Sequence, residues 1–140
     1  MRPIKFRAWD KIDNKMYEVG LLDFGFDGNL NRVCPCLPGG PNTDYRKLDR
    51  IELMQFTGLH DKNGKEIYEG DVVKNEKGDK GVVKFGRYEI ELHICQNGCC
   101  VDDKPQQGFY FEDDSEYQMS LFNRELIVLG NVHENPELMK

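Results

Sequence analysis

The chain has 140 residues, 39% of them hydrophobic and 31% charged, a make-up that suits a globular domain and excludes a disordered tail. Acidic residues outnumber basic ones by 25 to 19, for a formal net charge of −6, so the overall field repels nucleic acid while leaving room for a local basic strip. No window has the apolar length needed to cross a bilayer, and "MRPIKFRAWD" lacks the apolar run of a secretory signal. A cytoplasmic protein away from membranes is therefore expected, its five cysteines reduced rather than joined in a disulfide framework.

The elements read as strands and turns. In "RPIKFRAWD", Ile4, Phe6 and Ala8 alternate with Lys5, Arg7 and Trp9, the period-two signature of a half-buried strand. A turn at Asp13-Asn14 leads to a second strand from Lys15 to Val19, which makes Pro3 to Val19 a hairpin. "LLDFGFDGNLNRVCPC" spells another hairpin, turning at Asp27-Gly28, where glycine supplies the positive φ. Residues 37–44, "LPGGPNTD", are a loop by their prolines and glycines. Leu48 to Phe56 is apolar and fits strand or helix; its flanking turns favour a strand.

Asn63-Gly64, between "LHDK" and "KEIYE", is the strongest short-range hairpin signal available. Turns at Glu69-Gly70-Asp71 and in "EKGDKG" bracket "VVKN" and "VVKFG". Short strands with tight turns have the spacing of a small barrel or sandwich, and residues 65 to 100 have the look of an SH3-like barrel. Arg87 to Cys95 alternates Tyr88, Ile90, Leu92 and Ile94 with polar residues, another half-buried strand. "FYFEDD" opens as a strand, and Asp114 or Ser115 is positioned to cap a short helix. "RELIVLGNV" is a further strand. In "ENPEL", Asn135 fits an N-cap and Pro136 the first helical position, which predicts a short terminal helix. The expected fold is mainly β: a single domain over residues 1–140 of short antiparallel strands, with a small SH3-like barrel and a short C-terminal helix.

Three blocks, "KFRAWDKIDNKMYEV", "LMQFTGLHDKNGKEIYEGDVV" and "VLGNVHENPEL", stand in an order that resembles the YopX-like family of phage and prophage proteins. The resemblance spans most of the chain and fades between Gly86 and Asn123. It implies a phage or prophage gene, a β-rich fold and the cytoplasm of a bacterial host cell. It implies no activity, so no catalytic residue is carried over.

Zinc takes four thiolate or imidazole ligands in a tetrahedron, commonly from Cys-x(2–4)-Cys pairs on turns. Cys95 and Cys99 have that spacing, with Cys100 beside them, and Cys34 and Cys36 form a tighter pair. If the two loops met, Cys34, Cys36, Cys95 and Cys99 would form a zinc site in which His93 or His60 could substitute. The plainer reading, small apolar residues in and beside strands, is preferred, and no cofactor is expected. His60-Asp61 and His133-Glu134 are sequence neighbours that a strand points to opposite faces, so neither is a ready acid–base pair. Ser115 and Ser120 lie in no nucleophile elbow. "GKEIYEGD" lacks the order of a phosphate loop, and "DKNGKEIYEGD" lacks the ligand alternation of a calcium loop.

Lys5, Arg7 and Trp9 share one face of the first strand, where a cationic and aromatic strip suits phosphates and stacked bases; a solvated outer face is the plainer alternative. Gln55, Thr57, Gly58, Asp61, Glu69, Gly70 and Asp71 all have residue types that turn chemistry explains. The leading reading is a non-enzymatic binding or self-assembly module, acting on a protein partner or as a homo-oligomer. Its alternatives are a nucleic-acid accessory protein using Lys5, Arg7 and Trp9, disfavoured by the acidic charge, and a zinc-binding protein.

Overall fold

The computed structural model describes residues 2–38, 44–89, 105–116, 118–121 and 125–139. Eleven strands are found among them: β1 (Phe6–Asp10), β2 (Lys15–Phe24), β3 (Leu30–Pro35), β4 (Arg46–Lys47), β5 (Ile51–His60), β6 (Glu66–Tyr68), β7 (Asp71–Lys74), β8 (Lys80–Tyr88), β9 (Gln106–Glu112), β10 (Gln118–Ser120) and β11 (Ile127–Asn131). The fold is mainly β, as expected, and the expected terminal helix is a single 3-10 turn, Pro136–Met139. Among the described residues no helix is long and apolar enough to cross a membrane.

The chain divides into two compact units. The first comprises Met1–Leu59 and Glu66–Tyr68 and is an antiparallel sheet ordered β4-β3-β2-β1-β5-β6. Ala8, Val33 and Ile51 form a buried cluster, with Val19, Leu22, Leu30 and Leu53 packed against it. The alternation read in "RPIKFRAWD" accounts for Ala8 facing inward. β2 is a single ten-residue strand that serves both expected hairpins, pairing with β1 and then with β3. Leu48 to Phe56 resolves into β5, which starts at Ile51.

The second unit comprises His60–Lys65 and Glu69–Lys140 and holds a sheet ordered β10-β9-β8-β7-β11. Val72, Val73, Val83 and Phe111 are its most buried apolar residues. The rings of Tyr88 and Tyr110 stack at 5.2 Å and those of Phe85 and Phe109 meet edge-on at 4.9 Å, extending the β8–β9 contact by cross-strand aromatic pairing.

Two expectations are corrected. No closed barrel forms among the described residues. Glu66–Tyr68 adds to the sheet of the first unit, and β7 and β8 lie in an open sheet that ends on β10 and β11. Nor do Asp114 and Ser115 begin a helix: the segment is a turn joining β9 to β10. The Asp113 carboxylate accepts from the Ser115 amide at 2.8 Å, its carbonyl accepts from the Glu116 amide at 3.1 Å, and Glu116 has a φ of 61°, a left-handed angle that no helix continues through. The strand expected from Arg87 to Cys95 begins as the end of β8; residues 90–104 lie outside the described residues, as do residues 39–43 of the proline-glycine loop.

Two glycines test the turns and the sheet separately. Gly64 has a φ of 84° with nothing within 4 Å of an added Cβ, so Gly64→Ala is expected to destabilise by about 1–2 kcal/mol through conformation alone. At Gly81 an added Cβ would stand 2.7 Å from the Glu112 carbonyl oxygen. Gly81→Ala must push β8 from β9 and is expected to cost about 1–3 kcal/mol. Urea unfolding of both variants measures the two costs.

Candidate functional site

The end of β1 is fixed by Asp10, which is 1% exposed. One carboxylate oxygen accepts from the backbone amides of Ile12 and Asp13 at 2.9 and 3.0 Å and closes the turn into β2. The carboxylate also accepts from Arg46 Nε at 3.1 Å and from Arg50 Nε at 2.8 and 2.9 Å. Arg50 reaches Asp13 at 3.1 Å, and Arg46 pairs with Asp44. Burial raises the Asp10 pKa, but the Arg50 bond, the two amides and the Arg50 charge outweigh it and bring the value from 3.8 to about 2. This cluster holds its charges against one another; the cleft beside it, lined by Tyr45, Arg46, Lys47 and Arg50, opens on guanidinium groups already engaged with carboxylates.

Farther along β1 the expected cationic strip takes a different form. Lys5 ion-pairs with Glu66 and lies 5.6 Å from the Phe56 ring centre. The Arg7 guanidinium stands 4.8 Å over the Tyr68 ring, a cation–π distance. Tyr68 donates to Glu66 at 2.9 Å; burial first, then this bond and the Glu66 charge, push the phenol above its ordinary pKa. Lys5 is exposed, whereas Arg7 and Trp9 are half-buried. Trp9 lies between Met16 of β2 and Glu52 of β5 in register. The strip is thus a ladder of cations and rings within the first unit.

The ladder borders a fork. β1 pairs with β2 only as far as Arg7 opposite Glu18, although β2 runs on to Phe24. Ahead of Arg7 the chain stays with β5 instead: Phe6 is opposite Gln55, the Phe56 amide donates to the Lys5 carbonyl at 2.9 Å, and Arg2 lies against Gly58. Two sequence features part the strands. Gly20 is the extra residue of a bulge, since Val19 opposes Pro35 and Leu21 opposes Cys34, and bulges bend and twist their strand. Pro3 has no N–H to give a ladder. Between the parted strands is a cleft of about 420 Å³, walled by Ile4–Phe6 on one side, Glu18–Leu22 on the other, and Glu66 and Tyr68.

The remaining candidates are dispersed. Cys34 is buried in β3 and Cys36 is exposed just beyond it, while Cys95, Cys99, Cys100 and His93 lie outside the described residues. Among the described residues no three His, Cys, Asp or Glu side chains cluster as metal ligands. His60 ends β5, exposed. The His133 amide donates to Asn131 at 3.1 Å, and Ser115 lies in the β9–β10 turn described above.

The central block carries the fold. Thr57 donates to the Ile67 carbonyl at 2.8 Å and accepts from the Leu59 amide at 3.2 Å. Asp61 accepts from the amides of Asn63, Lys65 and Val128 at 2.8, 2.9 and 3.1 Å; burial opposes its charge, but these bonds lower its pKa. Gly58 and Gly70 take φ angles of 85° and 78°, Asp71 opposes Asn131 across β7 and β11, Gln55 is half-buried opposite Phe6, and Glu69 is half-buried. The sequence reading missed the Asp10 cluster and the fork. Asp10 followed by turn residues was a visible cue to the first, and Gly20 within an apolar run was a cue to the second.

An open pair of antiparallel sheets with a cleft between splayed strands defines a small β-sheet protein. The chain belongs to the YopX family, whose model, described as YopX protein, matches residues 5–140. It is similar to the crystal structure of protein EF1440 from Enterococcus faecalis, with 26% identity over all of both chains and a TM-score of 0.58. It also matches protein YopX from Bacillus subtilis, with 17% identity over 97% of this chain and 95% of that one and a TM-score of 0.47. No curated protein matches the chain.

Removing the Asp10 carboxylate leaves Arg46 and Arg50 facing each other without it, so Asp10→Ala is expected to cost roughly 3–5 kcal/mol. Because the folded pKa is depressed, the stabilisation is present above 3.8 and is lost as pH falls from there to about 2. Thermal melts across that range should show the wild type losing stability, and Asp10→Asn losing less of it.

Proposed function

We propose that this is a non-enzymatic binding module of phage or prophage origin, working in the cytoplasm of the bacterial host, which holds a protein partner at the splayed end of its first sheet. Its phage origin and cytoplasmic setting rest on the resemblance of the three sequence blocks. The binding role rests on one observation: large apolar side chains are exposed on and beside the part of β2 that outruns β1, two of them, Ile4 and Leu21, lining one cleft. Ile4 is 67% exposed, Leu21 54%, Phe24 56% and Phe26 115%. Exposed apolar groups that share a surface, as Ile4 and Leu21 do, mark protein contacts more often than scattered single residues do.

The Phe24 and Phe26 side chains are not needed to form their hairpin. Gly25 donates to the Asn29 carbonyl at 2.9 Å, Gly28 to the Gly25 carbonyl at 2.9 Å, and Asp27 accepts from the Asn29 amide at 3.0 Å. Catalysis finds less support. Perturbed ionisation is a common mark of active sites, yet the shifts at Asp10, Asp61 and Glu112 each trace to ion pairs or turn hydrogen bonds. The nucleic-acid reading is second, because Lys5 and Arg7 engage Glu66 and Tyr68 and the net charge is −6.

The test is an immobilised array of unrelated peptides probed with labelled protein. Binding is expected for the wild type and for Leu129→Ser, whose side chain is exposed in the second unit, and is expected to fall at least tenfold for the double variant Leu21→Ser/Phe26→Ser. Surface changes of this kind leave stability within about 0.5 kcal/mol. Equal binding by all three proteins sinks the proposal, and binding confined to a single-stranded oligonucleotide control brings Lys5, Arg7 and Trp9 forward.

A further inference from the structure

The apolar walls of the cleft, Ile4 and Leu21 among them, are set with three charged residues, Lys5, Glu18 and Glu66. Glu66 is fully committed: one oxygen pairs with Lys5, and the other accepts from the Tyr68 hydroxyl at 2.9 Å. Lys5 is committed to the same pair. Glu18 differs. It is exposed, and among the described residues its carboxylate has no hydrogen-bond or ion-pair partner. Arg7 stands opposite Glu18 across β1 and β2, but its guanidinium is half-buried over the Tyr68 ring. The Glu18 carboxylate belongs to this wall all the same: after burial and the Glu66 contacts, its charge adds to the causes that raise the Tyr68 phenol.

We propose that the cleft receives a basic side chain of the protein partner, its hydrocarbon stem along Ile4 and Leu21 and its cationic head against the Glu18 carboxylate. Lysine and arginine lay apolar stems on apolar surface while the charged head stays near water. Ile4 and Leu21, 67% and 54% exposed, offer that surface, and exposed Glu18 offers the counter-charge. The volume of about 420 Å³ lies within the roughly 300–1,000 Å³ of small-ligand sites, so one side chain fits without any added strand. Charge decides among the possible occupants. An acidic side chain meets Glu18 with like charge. A purely apolar one covers the carboxylate without pairing it, which costs free energy. Arginine is favoured over lysine, because its planar fork engages both oxygens of a carboxylate. The net charge of −6 also draws basic segments toward the protein. This inference rests on the protein-binding reading and names the group of the partner that the same surface recognises.

The probe is the capped tripeptide leucine–arginine–leucine, beside a second in which citrulline, neutral and of the same shape, replaces arginine. Each is titrated into isotope-labelled full-length protein and followed by amide chemical shift. The arginine peptide is expected to shift the amides of residues 4–6 and 18–22 and to bind at least threefold more tightly than the citrulline peptide at low salt, with the margin shrinking as salt rises. Glu18→Gln should abolish the difference between the peptides. Glu76→Gln removes an exposed charge of the second unit and should leave the difference in place. The comparison of the two peptides on the wild type needs no variant, so the test holds even if Glu18→Gln fails to fold.

Equal affinity of the two peptides overturns the inference. So does a loss in Glu76→Gln as large as that in Glu18→Gln, which would assign the preference to the overall charge. If neither tripeptide binds, the inference falls, and the protein-binding reading falls with it only if the peptide array is also silent. Array binding with no excess of arginine or lysine among the bound peptides would remove the basic side chain alone.

Discussion

The first unit depends on one buried carboxylate. Asp10 accepts from two backbone amides and two guanidinium groups, so a single charge both closes the β1–β2 turn and holds the segment around Arg46 and Arg50. A buried charge is tolerated when it is paired and fully hydrogen-bonded, and the depressed pKa of Asp10 reflects that balance. By setting the turn, Asp10 sets the register in which Asp10 opposes Lys15 and Arg7 opposes Glu18. The register pairs run from that turn as far as Glu18, and the rest of β2, to Phe24, lies beyond them.

Local signals were legible in the sequence and long-range ones were not. Asn63-Gly64 and Asp27-Gly28 announced their turns because glycine chemistry acts within four residues, and both glycines have positive φ. Asp61 is legible in part: its bonds to Asn63 and Lys65 are local, while its bond to Val128 spans 67 residues. The partners of Asp10 lie 36 and 40 residues away, beyond any pattern of spacing. The SH3-like expectation failed for the same reason. Each strand of the central block was read correctly as a strand, but strand order is set by which edges meet, and Glu66–Tyr68 joins β5 in the first unit. At Asp114 a capping residue was read as starting a helix, although aspartate serves turns equally well, and Glu116 in a left-handed conformation decides between them.

The cationic strip shows what a strand read alone leaves out. Lys5 and Arg7 look like phosphate ligands when read along β1. Across the sheet they face Glu66 and Tyr68 of β6, a strand sixty residues away. β5 lies between β1 and β6, so these long cationic side chains reach across an intervening strand to their partners. Lys5, Glu66 and Tyr68 all line the cleft, so the same contacts shape one wall of the fork.

The other sheet edges carry recognised protections. β4 has two residues and both are basic; β6 and β10 have three residues each. β11 carries a bulge between Val128 and Gly130 and packs against the terminal 3-10 turn. Short, charged, bulged or covered edges resist pairing with stray strands. The part of β2 beyond its ladder with β1, Val19 to Phe24, is longer and has one charged side chain, Asp23, but it is bulged at Gly20. The bulge bends and twists the strand, so the feature that parts β2 from β1 also guards the length of β2 that it leaves beyond the ladder.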